Sequence, residues 1–325
     1  MKLATRKNGT RDGQLIVVSR DGSRGAAAEG IAPTLQDAIE RWAEVEPKLQ
    51  ELSAKVNDGS ADGLFPVDVT ALETPLPRAY QFIDGSAYLN HIRLVRKARG
   101  AEMPASFESD PLVYQGVSDH FLPPTADIAH ANTEWGIDFE AEIGVITDDV
   151  PYRTTTEEAA SHIKLLVLIN DVSLRGLIPP ELAKGFGFLV SKPPSALSPF
   201  AITPDELGDS WRDGKVWLPL EVHWNGEWFG APEAGPEMQF SFPRIIEHVC
   251  QTRPLRAGAL IGSGTISNED RSMGSCCVAE KRMIEKIDTG EFKTSFMDFG
   301  DTVKIEMKRD GESLFGAIEQ RVVKA

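Results

Sequence analysis

Acidic residues alternate with apolar residues in the stretch GIDFEAEIGV, which begins at Gly136. Asp138, Glu140 and Glu142 occupy every second position, a period that is typical of a β-strand with one face in a core. The three carboxylates would then line the opposite face about 7 Å apart, where they repel one another. Most acidic faces are simply solvated, so this one predicts a function only if a cation binds between the carboxylates.

Further candidate groups occur at two other places in the chain. Asp171 directly follows the apolar run LLVLIN, so it is predicted to lie at a strand end, where ligand-binding groups are common. Asp84 and His91 are seven residues apart, an interval of two helical turns. This spacing predicts that Asp84 lies at the start of a helix and faces the same direction as His91. A turn aspartate at Asp171 and a helix cap at Asp84 are the simpler alternatives.

Convergence of these carboxylates would favour a divalent cation. Ligand sets made only of oxygen select Mg²⁺, Ca²⁺ or Mn²⁺ over zinc. The six histidines have no H-x-x-x-H spacing, and the adjacent Cys276 and Cys277 lack the spacing of a zinc knuckle. If the candidate ligands Asp84, Glu140, Glu142 and Asp171 converge, the sequence therefore predicts a site for Mg²⁺, Ca²⁺ or Mn²⁺ and not for zinc.

The first segment of the chain is predicted to form a separate unit. The stretch QLIVVSRDGSRG has a strand and turn pattern, and PTLQDAIERWAEVEPKLQELSAKV predicts a helix capped by Thr34. Pro47 would either bend this helix or start a second one. The polar stretch NDGSADG then places a boundary near residue 70. We predict a small N-terminal domain over residues 1–70 and a larger domain, able to fold alone, over residues 71–325.

The larger part of the chain has mainly strand signals. The pairs Asn225-Gly226 and Asp310-Gly311 each predict a hairpin turn, and LLVLIN and GALIGSG have the character of short buried strands. The stretch DGSAYLNHIRLVRKARG predicts a helix that ends at Gly100. Because there is no regular βαβ alternation and no internal repeat, we expect a β-rich α+β fold and neither a Rossmann fold nor a TIM barrel.

Composition and charge disfavour several kinds of partner. The formal net charge of -15 would repel nucleic acid and anionic membrane surfaces. The longest apolar run is too short to span a bilayer, and the first residues lack the apolar stretch of a signal peptide. Three cysteines do not suggest a disulfide framework. We therefore expect a cytoplasmic protein that binds neither nucleic acid nor membrane.

Five sequence blocks carry a resemblance to a known family. In order along the chain they are FIDGSAYLNH, IDFEAEIGV, LINDVSLRG, KGFGF and GSGTISN, and together they resemble the blocks of the fumarylacetoacetate hydrolase family. The stretch SKPPSALSPFAITPDELG is similar to a bacterial branch of that family. The resemblance implies a mixed β-sandwich roll, a small N-terminal domain and a homodimer.

The resemblance also implies a role for particular residues. It implies that the four candidate carboxylates bind Mg²⁺ or Ca²⁺ and that Asp138 is a bystander. His91 matches the catalytic histidine, and Glu280 is the acidic residue nearest to Val278, where the family pattern has a glutamate that orients the histidine. A surface pairing of Glu280 with a neighbouring basic residue is the simpler alternative. Lys184 matches a catalytic lysine, and the positions that match substrate-contacting residues are Arg175, Tyr114, Gly187 and Thr265.

The implied reaction is hydrolysis of the C–C bond of a 1,3-diketo acid, of the fumarylacetoacetate or acylpyruvate type, in the degradation of aromatic amino acids or other aromatic compounds. His91 would take a proton from water, and Arg175 and Lys184 would stabilise the enolate that leaves. A lyase of the same fold, either an oxaloacetate-type decarboxylase or a 2-oxo-dienoate hydratase, is the first alternative. The second is a non-catalytic protein whose cation only stabilises the fold, although such a site would need none of these three residues.

Overall fold

The computed structural model describes residues 1–98 and 105–325. Gly100, the predicted end of a helix, lies outside the described residues. The α-helices of the described ranges are α1 (Leu35–Glu40), α2 (Trp42–Asp58), α3 (Leu89–Ala98), α4 (Thr156–Ser161), α5 (Ile178–Leu182), α6 (Phe242–Cys250) and α7 (Val278–Thr289). Short 3₁₀ segments span Val69–Ala71, Ala105–Glu108, Pro204–Ser210 and Arg271–Met273. Within these ranges, no helix combines the length and the apolarity needed to cross a bilayer.

Short strands dominate the structure. They are β1 (Lys2–Arg6), β2 (Gln14–Val18), β3 (Arg24–Ala27), β4 (Phe65–Pro66), β5 (Leu72–Glu73), β6 (Phe82–Gly85), β7 (Val113–Gly116), β8 (Ile128–His130), β9 (Ile137–Asp138), β10 (Ala141–Thr147), β11 (Ile163–Asn170), β12 (Ser173–Leu174), β13 (Ala196–Leu197), β14 (Ala201–Ile202), β15 (Trp211–Arg212), β16 (Lys215–Val216), β17 (Glu221–Trp224), β18 (Glu227–Gly230), β19 (Ala259–Gly262), β20 (Thr302–Glu306), β21 (Lys308–Arg309), β22 (Glu312–Ser313) and β23 (Ile318–Lys324).

One large sheet runs through the whole molecule. Its strand order is β4-β3-β2-β1-β14-β11-β10-β19-β6-β7, with β13 paired to β11 and β5 paired to β1. Its pairs are antiparallel except β19 with β6, which is parallel. A second sheet has the order β18-β17-β20-β23-β8, and the described residues also form three two-stranded ribbons.

The large sheet is buried on both faces. Ile143 and Leu168 point to a core shared with Val222 and Ile305 of the second sheet, which makes the sandwich. Residues at alternate positions on the same strands point to a second core, which they form with side chains of α1 and α2. This arrangement confirms the predicted β-rich α+β fold, although the strand with alternating acids has no solvated face, because every residue of β10 is buried.

Local turn chemistry explains two of the hairpins. Asn225 and Gly226 have φ of 53° and 81°, and Asp310 and Gly311 have φ of 54° and 84°. Two consecutive residues with positive φ match the twist of antiparallel strands, which is why these dipeptides join β17 to β18 and β21 to β22. Both hairpin predictions are confirmed.

The first segment is joined closely to the rest of the chain. Strand β1 pairs with β14, and Val17 and Leu49 lie in the same buried cluster as Phe82 and Leu260. Thr34 caps α1 by accepting a hydrogen bond from the backbone of Asp37. A second helix, α2, does follow, but it begins at Trp42, so Pro47 lies inside it and does not start it. The division near residue 70 stays a prediction, but the sheet and the core cross it.

We expect a protein that lacks residues 1–70 to lose cooperative folding, contrary to the prediction from sequence alone. Truncation would expose the apolar face of the large sheet that α1 and α2 cover, and it would leave β14 without its partner β1. Thermal unfolding followed by circular dichroism and size-exclusion chromatography, each compared with the full chain, would test this. A monodisperse truncated protein that unfolds cooperatively near the wild-type temperature would contradict it.

Candidate active site

Three carboxylates meet where neighbouring strands of the large sheet end. Asp84 lies on β6, Glu142 lies on β10, and Asp171 directly follows β11. Each offers one carboxylate oxygen, and these oxygens lie within 4.8 Å of one another. Asp84 does not lie at the start of the helix as predicted, and the alternative in which it caps that helix is also wrong. The reason is that α3 begins only at Leu89 and Asp84 pairs with Tyr114 as part of the sheet.

The pKa values of the buried acids reflect this crowding. Burial and repulsion from Asp171 raise the pKa of Asp84 to about 8. Burial and repulsion from Asp84 raise the pKa of Glu142 well above its ordinary value. Both side-chain oxygens of Glu142 are buried without a hydrogen-bond partner. Because a buried acid is normally hydrogen-bonded, the unpartnered oxygens of Glu142 mark a place where a positive group would be favourable.

The donor set fits a divalent cation. Carboxylate oxygens are the ligands of Mg²⁺, Ca²⁺ and Mn²⁺. Gly262 on β19 lies beside the cluster, and a Cβ there would be 2.2 Å from Asp84 Oδ1 and 3.2 Å from Glu142 Oε2. Glycine therefore leaves open the space between two of the three acids, and Asp84, Glu142 and Asp171 are the residues that would hold the cation.

The fourth predicted ligand, Glu140, contacts two cationic side chains, and its role as a cation ligand stays a prediction. Its Oε1 lies 2.6 Å from Arg175 Nη2, and its Oε2 accepts a hydrogen bond of 2.6 Å from Lys192 Nζ. Burial raises the pKa of Glu140, but the attraction of these two cations outweighs burial and holds the pKa below its ordinary value. Lys192 also contacts Asp171, so it links Glu140 to the acid cluster.

The sequence assigned the site lysine to Lys184, whereas the structure brings Lys192 to the acids. Lys184 is exposed, and neither it nor Gly187 is among the residues that line the cavity described below. Lys192 reaches the acids because β13 pairs with the end of β11 and Ser195 Oγ donates a 2.6 Å hydrogen bond to Asp171. Lys192 belongs to the stretch SKPPS, but nothing in that stretch indicates a contact with the acids. Only the long-range pairing of β13 with β11 brings Lys192 to them.

Asp138, expected to be a bystander, is fully buried and holds two parts of the site together. Its Oδ2 accepts a 2.8 Å hydrogen bond from Arg175 Nε. Its carboxylate also accepts hydrogen bonds of 2.8 Å and 2.9 Å from the backbone N–H groups of Val278 and Ala279, at the start of α7. A negative charge at a helix N-terminus is favourable. Asp138 therefore positions both Arg175 and α7.

Helix α7 brings an acid to the predicted base. Glu280 Oε2 lies 2.9 Å from His91 Nδ1 on α3, and the Glu280 side chain is 1% exposed. The alternative in which Glu280 pairs at the surface is therefore wrong. A carboxylate beside one ring nitrogen fixes the tautomer and leaves the other nitrogen, Nε2, to accept a proton.

Several of these residues line one cavity of about 670 Å³. Its polar lining includes Asp84, His91 and Thr265, together with Tyr114, whose hydroxyl donates a 2.5 Å hydrogen bond to Asp171. The apolar lining is formed by Tyr88, Ile92, Val95, Leu112, Val113, Ile178, Leu182, Phe188, Ala279, Met283, Phe292 and Phe296. A concave apolar pocket with a few convergent charged groups is typical of a small-molecule site.

The fold and this cavity define an enzyme site for a small molecule. The site combines a cluster of carboxylates with a histidine that can act as a base. The chain belongs to the fumarylacetoacetate hydrolase family, since residues 81–323 match the family described as "Fumarylacetoacetate (FAA) hydrolase C-terminal". Residues 1–78 match "Fumarylacetoacetase N-terminal domain 2". These matches confirm the resemblance seen in the five sequence blocks.

Relatives differ in the reactions for which they are named. The chain is 26% identical to the oxaloacetate tautomerase YisK of Bacillus subtilis over 223 residues, which are 68% of this chain and 70% of the relative. It is 25% identical to the 2,4-didehydro-3-deoxy-L-rhamnonate hydrolase of a Sphingomonas species over 256 residues, 76% of this chain and 82% of the relative. The family therefore includes tautomerases as well as hydrolases.

A solved structure shares the fold over the full length. It is the maleylpyruvate hydrolase of Sphingobium sp. SYK-6 in complex with manganese(II) and pyruvate, with a TM-score of 0.65, 16% identity and coverage of 100% of both chains. At this level of identity the likeness shows the fold alone.

Proposed function

We propose that this protein is a divalent-cation-dependent hydrolase that cleaves the C–C bond of a 1,3-diketo acid, of the kind formed when aromatic compounds are degraded. The observation that carries the proposal is that His91, which is paired with Glu280, lines the same cavity as Asp84 of the three-carboxylate cluster. A hydrolase of this kind needs both an oriented base and a cation site. A cation that only stabilised the fold would need no base.

The cation, when bound, would act as a Lewis acid toward the oxo groups of the substrate. Asp84, Glu142 and Asp171 would hold it. His91 takes a proton from water at Nε2, and Glu280 stabilises the imidazolium that results. The water oxygen adds to one carbonyl carbon, and the adjacent C–C bond breaks with its electrons going to an enolate. His91 returns the proton to the α-carbon of that enolate, while the attacked carbon becomes the carboxyl carbon of the acid. The products are a carboxylic acid and a shorter oxo acid.

Two buried cations suit the negative charge of the leaving enolate. Arg175 is fixed by Asp138 and Glu140, so it requires no reorganisation when charge develops nearby. Burial lowers the pKa of Lys192, but the attraction of Asp171 and Glu140 outweighs burial and raises the pKa above its ordinary value. Lys192 is therefore protonated at neutral pH and can donate hydrogen bonds to substrate oxygens.

The alternative is proton transfer to an enol, or a lyase reaction, at the same site. The similarity to an oxaloacetate tautomerase favours this alternative, because ketonisation of an enol also needs a base beside bound oxo groups. Tautomerisation breaks no C–C bond, decarboxylation releases CO₂, and hydration adds water to a double bond. None of these reactions splits a diketo acid into two acids. The two candidates therefore form different products from one panel of substrates.

The test is a product analysis of purified protein with acetylpyruvate, maleylpyruvate, fumarylacetoacetate, a 2-oxo-dienoate and oxaloacetate. Each substrate is incubated with Mg²⁺, Ca²⁺, Mn²⁺ or EDTA, and products are separated by chromatography. We expect a diketo acid to yield two acids only when a cation is present. Conversion of oxaloacetate alone, with intact diketo acids, would replace the hydrolase proposal with the tautomerase or lyase alternative.

We expect Lys192→Met to lower kcat about 10²-fold to 10³-fold, the usual effect of removing one preorganised donor to a developing oxyanion. Lys184→Met is the matched control and should stay within about twofold, because Lys184 is exposed and does not line the cavity. Initial rates and thermal unfolding of both variants would be compared with the wild type. The opposite order of effects would restore the sequence-based assignment to Lys184.

A further inference from the structure

A third cation, Arg282, lines the cavity in addition to Arg175 and Lys192. It lies on α7 with Ala279 and Met283, three and four residues apart, so these three form one helical face toward the cavity. Glu280 on the same helix contacts His91 instead. One helix thus supports the base and also supplies a cation to the cavity wall.

Two aromatic rings and a carbonyl hold the Arg282 guanidinium in place. Its central carbon lies 4.6 Å from the centre of the Phe292 ring and 4.3 Å from the centre of the Phe296 ring. One Nη1–H donates to the backbone carbonyl of Thr294. Contact with two rings restricts the side-chain rotamers of Arg282, and it does not use the N–H donors along the edge of the planar group.

The charge balance of the three cations differs. Arg175 and Lys192 are paired with Asp138, Glu140 and Asp171. By contrast, no carboxylate of residues 1–98 and 105–325 lies within 4.0 Å of an Arg282 nitrogen. A half-buried guanidinium with open donors on a cavity wall suits a carboxylate ligand, because its fork matches the two carboxylate oxygens.

We propose that Arg282 is a specificity-determining residue that binds a second, distal carboxylate of the substrate. The inference rests on the proposed function for the placement of the 2-oxo acid end near Asp84, Glu142 and Asp171. The substrate class is then a diketo diacid, in which a short carbon chain separates the 2-oxo acid group from a terminal carboxylate. The rings of Phe292 and Phe296 also line the cavity, and they would contact that chain beside Arg282.

A purely structural role for Arg282 makes a different prediction. In that case the guanidinium only attaches the segment around Thr294 to α7, and its loss would weaken the binding of every ligand to the same extent. If Arg282 binds a substrate carboxylate, its loss would weaken the binding only of ligands that carry a carboxylate at the distal end. Ligand pairs of equal length, which differ in that group alone, separate the two roles.

The experiment measures binding by titration calorimetry in the presence of Mn²⁺. The ligands are 2-oxo diacids of five to seven carbons and the 2-oxo monoacids of the same lengths. Arg282→Gln is compared with the wild type, and Arg271→Gln is the control, because Arg271 forms an exposed ion pair with Asp288 of the same helix. We expect at least one wild-type diacid to bind about 10-fold to 100-fold more tightly than its monoacid.

In Arg282→Gln this preference should fall to about twofold while the affinity for monoacids stays unchanged, and Arg271→Gln should retain the full preference. Equal weakening of diacids and monoacids in Arg282→Gln, or no diacid preference in the wild type, would overturn the proposal. Because the calorimetry measures binding without turnover, its result does not depend on the result of the product analysis that tests the proposed function. A retained diacid preference without hydrolysis would contradict only the proposed function, and hydrolysis of acylpyruvates without diacid preference would contradict only the role of Arg282.

Discussion

Glu142→Gln should abolish turnover of diketo acids and should, in the same protein, stabilise the cation-free fold. The substitution keeps the side-chain volume and removes one of three carboxylates whose oxygens lie within 4.8 Å of one another. Loss of a ligand removes the cation and with it the Lewis acid, so activity should fall below detection. Loss of the charge removes a buried repulsion that no hydrogen bond offsets, since neither Glu142 oxygen has a partner.

The same cluster should make the stability of the cation-free wild type depend on pH. Burial and repulsion from Asp171 raise the pKa of Asp84 from 3.8 to about 8. A group whose pKa is raised on folding contributes stability that is fully present below its unfolded pKa and is lost as the pH rises through its folded pKa. We therefore expect the unfolding temperature of the EDTA-treated protein to fall between pH 4 and pH 8 from this contribution, and less steeply in Glu142→Gln.

Thermal unfolding with EDTA and with excess Mg²⁺, Ca²⁺ or Mn²⁺ would measure both effects. A cation at 100 times its Kd stabilises the folded state by about 2.7 kcal/mol, so the wild-type unfolding temperature should rise by several degrees. Glu142→Gln should lose this rise, whereas Glu51→Gln, on the exposed surface of α2, should keep it. Full activity of Glu142→Gln after exhaustive chelation would refute the cation site.

Local chemistry made part of this architecture predictable. The Asn225-Gly226 turn follows from the positive φ that both residues tolerate, so no distant part of the chain is needed to specify it. Asp171 at a strand end could be read from the apolar run before it. At Asp84 the local sequence led to a wrong prediction, the start of a helix. An aspartate shortly before a helix resembles an N-cap whether or not it belongs to a strand. Pairing with β19 and β7 decided the matter, and those partners lie far along the chain.

Long-range contacts also determine the parts of the site that spacing could not give. Glu280 and His91 are 189 residues apart, and their contact depends on the packing of α3 against α7. The family resemblance implied that Asp138 is a bystander to cation binding, and alternation along a strand says nothing about a helix that begins beside it. Lys192 reaches Asp171 through the pairing of β13 with β11. Residue types suggested the chemistry, whereas sheet topology selected which residues share the cavity.

Replacement of the proposed base provides the second large effect. We expect His91→Ala to lower kcat about 10²-fold to 10⁴-fold, the usual contribution of a general base, while the affinity for the cation stays near the wild-type value. The reason for the separation is that His91 faces Glu280, whereas the cation would be held by Asp84, Glu142 and Asp171. Single-turnover kinetics would report the chemical step, and the cation-dependent rise in unfolding temperature would report cation binding.

Glu280→Gln tests whether the buried acid serves the base or only the fold. The amide can still accept a hydrogen bond from His91 Nδ1–H, but it no longer carries the charge that stabilises an imidazolium 2.9 Å away. We expect kcat to fall about tenfold or more and the acidic limb of the kcat/KM profile to move to lower pH. Glu237→Gln, an acid near α7 that does not contact His91, is the control and should leave the profile in place. A wild-type rate and an unmoved acidic limb in Glu280→Gln would show that His91 works without this carboxylate, and full activity of His91→Ala would refute the hydrolytic mechanism itself.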